Sequence, residues 1–132
     1  MKIVVDTNIL FSFFWKESIT RKLIINLRDN LLSSEKAKEE LIKYSKEICK
    51  KIKISLEEFN ELLKELEDNV DFIEKKEYAE VIKNVSNPNL DEEDFEFLAL
   101  AYKNKCALWT NDSALKNQQI VKIITTKDLL ED

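Results

Sequence analysis

Apolar and polar residues follow two periods along this chain, and the two periods predict different elements. Short apolar runs predict strands at residues 2–6, 31–33, 70–73, 106–110 and 120–125. Apolar residues at spacings of three and four predict helices at residues 7–15, 17–29, 34–51, 55–68, 77–85, 91–104 and 113–118. Because parallel neighbours need crossover connections, this alternation indicates a three-layer α/β/α sandwich around a mainly parallel five-stranded sheet.

Three of the predicted helices begin at residues that favour helix N-termini. Ser34 and Asp91 stand immediately before apolar-periodic segments, where their side chains can cap free backbone N–H groups. The segment Ser55-Leu56-Glu57-Glu58 has the form of a capping box. These signals place the starts of the helices more firmly than their ends.

Two carboxylates follow predicted strands directly, at the edge where parallel sheets bind ligands. Asp6 ends the first strand, and Asp112 comes two residues after the strand at 106–110. If these strands are parallel, both side chains lie at the same edge of the sheet. For Asp6 alone the alternative is a turn-forming residue at a strand end.

Helical phase distinguishes Asp94 from the other acids around it. At about 100° per residue, Asp94 falls within an apolar arc, whereas Glu92 and Glu96 fall on the solvent side and Glu93 on the flank. That arc is formed by Phe95, Leu98, Ala101 and Tyr102. Asp94 is therefore predicted to face the interior, where the helix dipole stabilises its charge. Simple capping by Asp91 and Asp94 is the alternative.

The same reasoning separates Glu40 from Glu39 in the long helix predicted at residues 34–51. Glu40 lies about 40° from the predicted buried stripe and Glu39 points away from it. The stripe consists of Leu41, Tyr44, Ile48 and Ile52, and a strip of lysines covers the opposite face at positions 43, 46, 50 and 53. That strip is either a solvated helix face or a track for backbone phosphates.

Composition removes several classes of enzyme. The 132 residues, sufficient for one domain (1–132), include no His and no Gly. Nucleophile pairs that need His, and phosphate-binding loops that need Gly, are thereby excluded. The net charge of −5 opposes a generic nucleic-acid binder. Cys49 and Cys106 have no metal-ligand spacing, so we expect buried free thiols, with a disulfide as the alternative. We find no signal peptide or membrane span and expect a cytoplasmic protein.

Four segments together resemble the PIN domain, a fold of metal-dependent nucleases that includes VapC-type toxins. They are VVDTNIL at residues 4–10, LLSS at 31–34 with EEL at 39–41, DEED at 91–94 before FLALA at 97–101, and LWTNDSAL at 108–115. The first and third are the most specific. Asn111 departs from the pattern, because many relatives carry Gly there, and Asp91 is a further acid of unassigned role.

The resemblance implies the strand order 3-2-1-4-5 and a central acidic pocket formed by Asp6, Glu40, Asp94 and Asp112. Such a pocket would bind Mg²⁺ or Mn²⁺, with one ion or two, because the ligands are all oxygens. The implied activity is that of an endoribonuclease in which the cation activates water for attack on an RNA phosphodiester bond. The resemblance further implies a toxin role, with an antitoxin partner and a homodimer.

Several alternatives remain open at the level of sequence. The neutral residues Thr7, Asn8, Thr110 and Asn111 orient the substrate or a ligand carboxylate, or else cap the helices that follow. A phosphatase or receiver with Asp6 as phosphoacceptor would need further residues, and Asn8 stands where such phosphatases carry a second Asp. A third alternative is a non-catalytic binding or regulatory domain. Of Phe13, Phe14 and Trp15, we expect at least two to pack in the core.

Overall fold

The protein is described from a computed structural model covering residues 1–16 and 18–131. Across these residues, a parallel sheet contains the strands β1 (Ile3–Val5), β2 (Leu31–Ser34), β3 (Asp71–Ile73), β4 (Ala107–Trp109) and β5 (Ile123–Ile124). Their order is β3-β2-β1-β4-β5, and every neighbouring pair is parallel. The predicted α/β fold and strand order are confirmed. The order places β1 at the centre, with Val4 beside Leu32 and Leu108.

Helices flank this sheet and connect its strands. They are α1 (Thr7–Ser12), α2 (Ile19–Asn26), α3 (Glu35–Lys43), α4 (Ser45–Ile52), α5 (Leu56–Asn69), α6 (Ile82–Val85), α7 (Glu92–Lys103) and α8 (Thr126–Leu130). Helix α7 packs across β1, β2 and β4, so its first turn lies near the centre of the sheet. Ser34 caps α3 and Ser55 forms a capping box on α5, as predicted.

The core contains the central strands and an aromatic cluster. Val5 and Trp109 are completely buried, and the ring of Phe14 stacks on that of Phe59 with centroids 4.7 Å apart. Phe13 is buried as well, which confirms the expectation for two of the three neighbouring aromatic residues. The third, Trp15, remains 41% exposed. Cys49 and Cys106 are free thiols as expected, but they are only half-buried.

The N-terminal helices are shorter than the pattern predicts. The first ends at Ser12 rather than residue 15. The second begins after Ser18, whose hydroxyl caps it by accepting from the backbone N–H of Arg21. It ends three residues before its predicted limit, where Asp29 has a left-handed φ of 76°. Glu17, the predicted first residue of that helix, lies outside the described residues.

The long helix predicted at residues 34–51 is wrong, because the chain forms α3 and α4 with a break at Tyr44. Tyr44 has φ −100° and ψ 16°, and it is 44% exposed rather than buried. Helix α3 packs on β2 and β3, whereas α4 packs on α5. The two helices therefore pack against different elements, and Tyr44, at the break between them, is not part of the predicted buried stripe.

Three further boundaries differ from the predictions. The single helix predicted at residues 77–85 is wrong. The chain there forms 3-10 turns at Lys75–Glu77 and Ala79–Val81, followed by the short helix α6. The last strand begins only at Ile123, because the Gln118 side chain binds the backbone N–H groups of residues 120 and 121. Residues 113–117 are a 3-10 helix. Helix α8 was missed, although Thr125 and Asp128 form a capping box at its start.

Along the described part of the chain, no helix has both the length and the apolar character needed to cross a membrane.

Candidate functional site

The carboxyl end of β1 is where the order of the sheet reverses, since β2 lies on one side of it and β4 on the other. In open α/β sheets this position forms the crevice that binds ligands. Asp6 follows β1 there, and its backbone N–H donates to the Trp109 carbonyl of β4 at 3.3 Å. On the other side, the Ser33 hydroxyl of β2 donates to the Val5 carbonyl at 2.6 Å. These bonds hold the three strand ends together around Asp6.

Asp6 is a buried carboxylate, with only 5% of its surface exposed. Its Oδ1 accepts from the backbone N–H of Ile9 at 2.9 Å and so caps α1. Burial raises the pKa of Asp6, hydrogen bonds from Thr110 and Ile9 oppose that rise, and the charge of Asp112 adds to it. Asp6 therefore caps a helix directly after the strand, and burial disfavours the charge that it carries.

Asp94 lies in the first turn of α7 and faces Asp6 across a small cavity. Burial raises the pKa of Asp94 to about 6, with further contributions from the charges of Asp112, Asp6, Asp91 and Glu93. The stabilisation of this charge predicted from the helix dipole does not prevent the rise. Asp91 occupies the N-cap position, yet its side chain makes no capping hydrogen bond.

The cavity has a volume of about 160 Å³, and most of the predicted site residues line it. Glu40 of α3 is one of them, as its helical phase predicted, together with Thr7 and Asn8 of α1. The complete lining is Asp6, Thr7, Asn8, Ser34, Lys36, Ala37, Glu40, Glu93, Asp94, Glu96 and Phe97. Three of the four predicted carboxylates thus share one cavity.

Asp112 and its two neighbours lie beside the cavity rather than in its wall. The Asp112 carboxylate caps the following 3-10 helix by accepting from the backbone N–H of Ala114 at 3.0 Å. It is still close enough to raise the pKa of both Asp6 and Asp94. Thr110 is buried and its hydroxyl accepts from the backbone N–H of Asp112 at 3.1 Å, whereas Asn111 exchanges two hydrogen bonds with Thr126 of α8. Asn111 thus holds α8 to the end of β4.

Glu96 is not on a solvent face, and this prediction is wrong. The residue is 7% exposed, and its carboxylate accepts from the Tyr78 hydroxyl at 2.9 Å and pairs with Lys36 at 3.2 Å. All residues of α7 from 96 to 101 are buried, so the helix has no solvent-exposed face there. A run of apolar residues that long was the signal that any acid within it needs a partner.

The pair of Glu96 and Lys36 brings a cation into the acidic cavity. The hydrogen bond and charge of Glu96 raise the pKa of Lys36, and the charges of Glu40 and Glu93 add to this effect. Burial and the hydrogen bond to Glu96 likewise raise the pKa of Tyr78, which therefore stays protonated and donates. Lys36 lies four residues before Glu40, on the same face of α3, but sequence reasoning did not single it out.

We expect Tyr78→Phe to lower the free energy of unfolding by about 2 kcal/mol, because a buried carboxylate oxygen of Glu96 loses its donor. Urea denaturation followed by circular dichroism measures the change. The control is Tyr102→Phe, which alters a tyrosine that is 38% exposed and should change stability by less than about 0.5 kcal/mol. Equal stabilities of the two variants would contradict this account of Tyr78.

The chemistry of the cavity fits a hard divalent cation, although its side chains are spread apart. Apart from Glu96, its carboxylates Asp6, Glu40, Glu93 and Asp94 take part in none of the ion pairs found among the described residues. All-oxygen donors of this kind suit Mg²⁺ or Mn²⁺. In residues 1–16 and 18–131, no three acidic or cysteine side chains are close enough to hold a metal ion. Repulsion among uncompensated carboxylates favours such a spread arrangement.

Comparison with known proteins adds one positive finding. The sequence model of a family described as PIN domain matches residues 4–130. A search among curated proteins found no match. The matched range includes every residue that lines the acidic cavity.

Proposed function

The chain belongs to the PIN-domain family, and we propose that it is a Mg²⁺- or Mn²⁺-dependent endoribonuclease that hydrolyses RNA at the acidic cavity. PIN domains are generally nucleases that act on nucleic acid and typically use divalent metals. The observation that carries the proposal is the position of Asp6, a buried carboxylate facing Asp94 across a cavity at the centre of the sheet.

The charge balance of the cavity supports a cation as the missing component. Five carboxylates line the space, whereas Lys36 is the one basic residue among the described residues lining it, and Glu96 already pairs with it. Burial and the charges of neighbouring carboxylates raise the pKa of Asp94 to about 6. A divalent ion would remove that penalty and draw the carboxylates together. His is absent from the chain, and both cysteines are remote from the cavity, so soft ligands for zinc are lacking.

The chain's own side chains have separate roles in this proposal. Asp6 and Asp94 would hold the cation, with Glu40 and Asp112 completing the oxygen ligands. When bound, a divalent cation activates water as a nucleophile and stabilises negative charge that develops on a phosphate. Lys36 would orient the phosphate from the wall of the cavity, and Glu96 with Tyr78 would position Lys36.

The chemistry also predicts which products form. When water attacks the phosphorus and the bond to the 3′-oxygen breaks, the products carry a 5′-phosphate and a 3′-hydroxyl; when the bond to the 5′-oxygen breaks, they carry a 3′-phosphate and a 5′-hydroxyl. Attack by the 2′-hydroxyl would instead leave a 2′,3′-cyclic phosphate. We expect the wild-type protein to cleave single-stranded RNA with Mg²⁺ or Mn²⁺, to yield linear phosphate ends, and to stop in EDTA. Mass spectrometry of the fragments measures this directly. Cyclic phosphate ends, or cleavage that persists in EDTA, would overturn the proposal.

The family resemblance supports two further parts of the proposal, a toxin role and a homodimer. In the toxin role, a small antitoxin protein would cover the acidic cavity and suppress cleavage. Co-expression with the product of any short reading frame directly upstream tests this role, with growth of the host as the readout. Light scattering of the purified chain tests the homodimer.

A further inference from the structure

We propose that a groove next to the acidic cavity binds an unpaired nucleobase of the substrate. This inference rests on the proposed function and adds a second subsite to it. The aromatic groove, as we call it, has a volume of about 270 Å³. Its walls include Phe11, Leu41, Tyr44, Glu47, Ile48 and Lys51.

The groove is continuous with the acidic cavity. Thr7, Asn8 and Glu40 line both spaces. A nucleotide whose phosphate lies at the acidic cavity can therefore place its base, or that of a neighbour, in the groove. This continuity argues that one ligand occupies both spaces.

Tyr44 presents its ring to this groove because of the break between α3 and α4. Tyr44 is 44% exposed, so its ring is accessible from solvent. Neither Gly nor Pro occurs at the break, so no helix-breaking residue requires it. The broken helix turns Tyr44 toward the groove instead of the core, where an unbroken helix was predicted to place it.

Lysines lie over the aromatic rings of the groove. The Nζ of Lys51 is 5.4 Å from the centroid of Phe11, and the Nζ of Lys43 is 5.3 Å from that of Tyr44. Aromatic rings for bases, combined with cations for the backbone, are the means by which proteins bind single strands without reading sequence. Lys46 and Lys50 are exposed one turn apart on α4, which continues the basic surface away from the groove. On a chain with net charge −5, this concentration of lysines favours a polyanion.

The other walls of the groove favour a base over a phosphate or an apolar peptide. Glu40 and Glu47 would repel a phosphate inside the groove, but they can accept hydrogen bonds from the exocyclic amino groups of a base. An apolar peptide helix would bury those carboxylates and Lys51 without partners, which is costly. A heteroaromatic base suits these walls, because its face can stack on an aromatic ring and its edge can donate hydrogen bonds to the carboxylates.

The test is oligonucleotide binding by variants of Tyr44, measured as fluorescence anisotropy with Ca²⁺ present to neutralise the acidic cavity. We expect Tyr44→Leu to weaken binding of single-stranded RNA by about tenfold, since stacking on an aromatic ring is lost. Tyr44→Phe keeps the ring and should bind like wild type. The control is Tyr102→Leu, which removes a tyrosine of similar exposure that lies away from both spaces.

A second measurement separates stacking from general attraction. RNA with abasic sites near the cleaved bond should bind about tenfold more weakly to wild type, and Tyr44→Leu should add little to that loss. A duplex of the same sequence, whose bases are already stacked, should show no dependence on Tyr44. Additive losses, or equal effects on duplex and single strand, would contradict a base subsite.

The outcomes distinguish this inference from the proposed function. Binding that depends on Tyr44 without any metal-dependent cleavage would support the subsite and contradict the nuclease. Metal-dependent cleavage with Tyr44→Leu equal to wild type in binding would support the nuclease and overturn the subsite. A wild-type protein that binds none of the oligonucleotides would also overturn it. So would a dimer that Tyr44→Leu dissociates while RNA binding is unchanged, because the groove would then take protein.

Discussion

Asp94→Asn should abolish metal-dependent RNA cleavage and at the same time stabilise the metal-free protein. We expect the single-turnover rate at saturating Mn²⁺ to fall by at least about a hundredfold. Even the mutation of an outer-shell partner of a metal ligand typically lowers metal affinity or activity by 10- to 100-fold. Without metal, above pH 7, the free energy of unfolding should rise by about 1 kcal/mol, a value reduced for the solvent screening of a partly exposed group. Replacing a residue that is retained for stability would instead lower the free energy of unfolding.

The pH dependence of this stabilisation follows from the raised pKa of Asp94. The folded state holds its proton up to about pH 6, whereas the unfolded chain loses it near the ordinary value of 3.8. Stability contributed by the protonated group is therefore complete below pH 3.8 and lost as pH rises through 6. Asp94→Asn removes that loss, so its gain in stability should be absent near pH 4, grow as the pH rises, and be complete above pH 6.

Glu92→Gln is the matched control for Asp94→Asn. Glu92 lies in the same first turn of α7 and carries the same charge, but its side chain is exposed and outside the cavity. We expect its cleavage rate and stability to stay close to wild type. If the Glu92 variant lost as much cleavage as the Asp94 variant, general charge at the helix start would explain the effect. Unchanged cleavage by Asp94→Asn would contradict its role as a metal ligand.

Mn²⁺ should stabilise the wild-type protein strongly near neutral pH. A ligand that binds only the folded state at 100 times its dissociation constant adds about 2.7 kcal/mol. For a chain of this size, that corresponds to roughly a 10 °C rise in the midpoint of thermal unfolding. Differential scanning fluorimetry with Mn²⁺ and with EDTA measures the shift. No shift would favour a non-catalytic domain.

The metal effect should weaken in acid, because protons compete for the same carboxylates. The pKa of Asp6 is raised by burial, and that of Asp94 to about 6, so at pH 5 both bind protons more readily than ordinary aspartates. We expect the Mn²⁺-induced shift at pH 5 to be less than half of that at pH 7.5. In Asp6→Asn the shift should be absent at both values. An equal shift at pH 5 and 7.5 would place the ion elsewhere on the surface.

Some positions in this protein follow from local helix geometry, and others depend on tertiary packing. The phase of a helix is a local property, so it separated Glu40 and Asp94 from the acids beside them, and both side chains line the cavity. The same rule was wrong for Glu96, because α7 packs over three strands and has no solvent face near that residue. It was also wrong for Tyr44, because α3 and α4 follow different packing partners and the helix breaks between them.

By itself, the sequence determined the α/β fold, the position of Asp6 at a strand end and the absence of histidine chemistry. Apolar periodicity, capping residues and composition are readable from neighbours along the chain, and the family resemblance supplied the strand order. Only the tertiary structure decided that Lys36 and Tyr78 partner Glu96, and that an aromatic groove opens beside the cavity. Those contacts join residues of separate elements, and their energies depend on burial and distance, which no local pattern specifies.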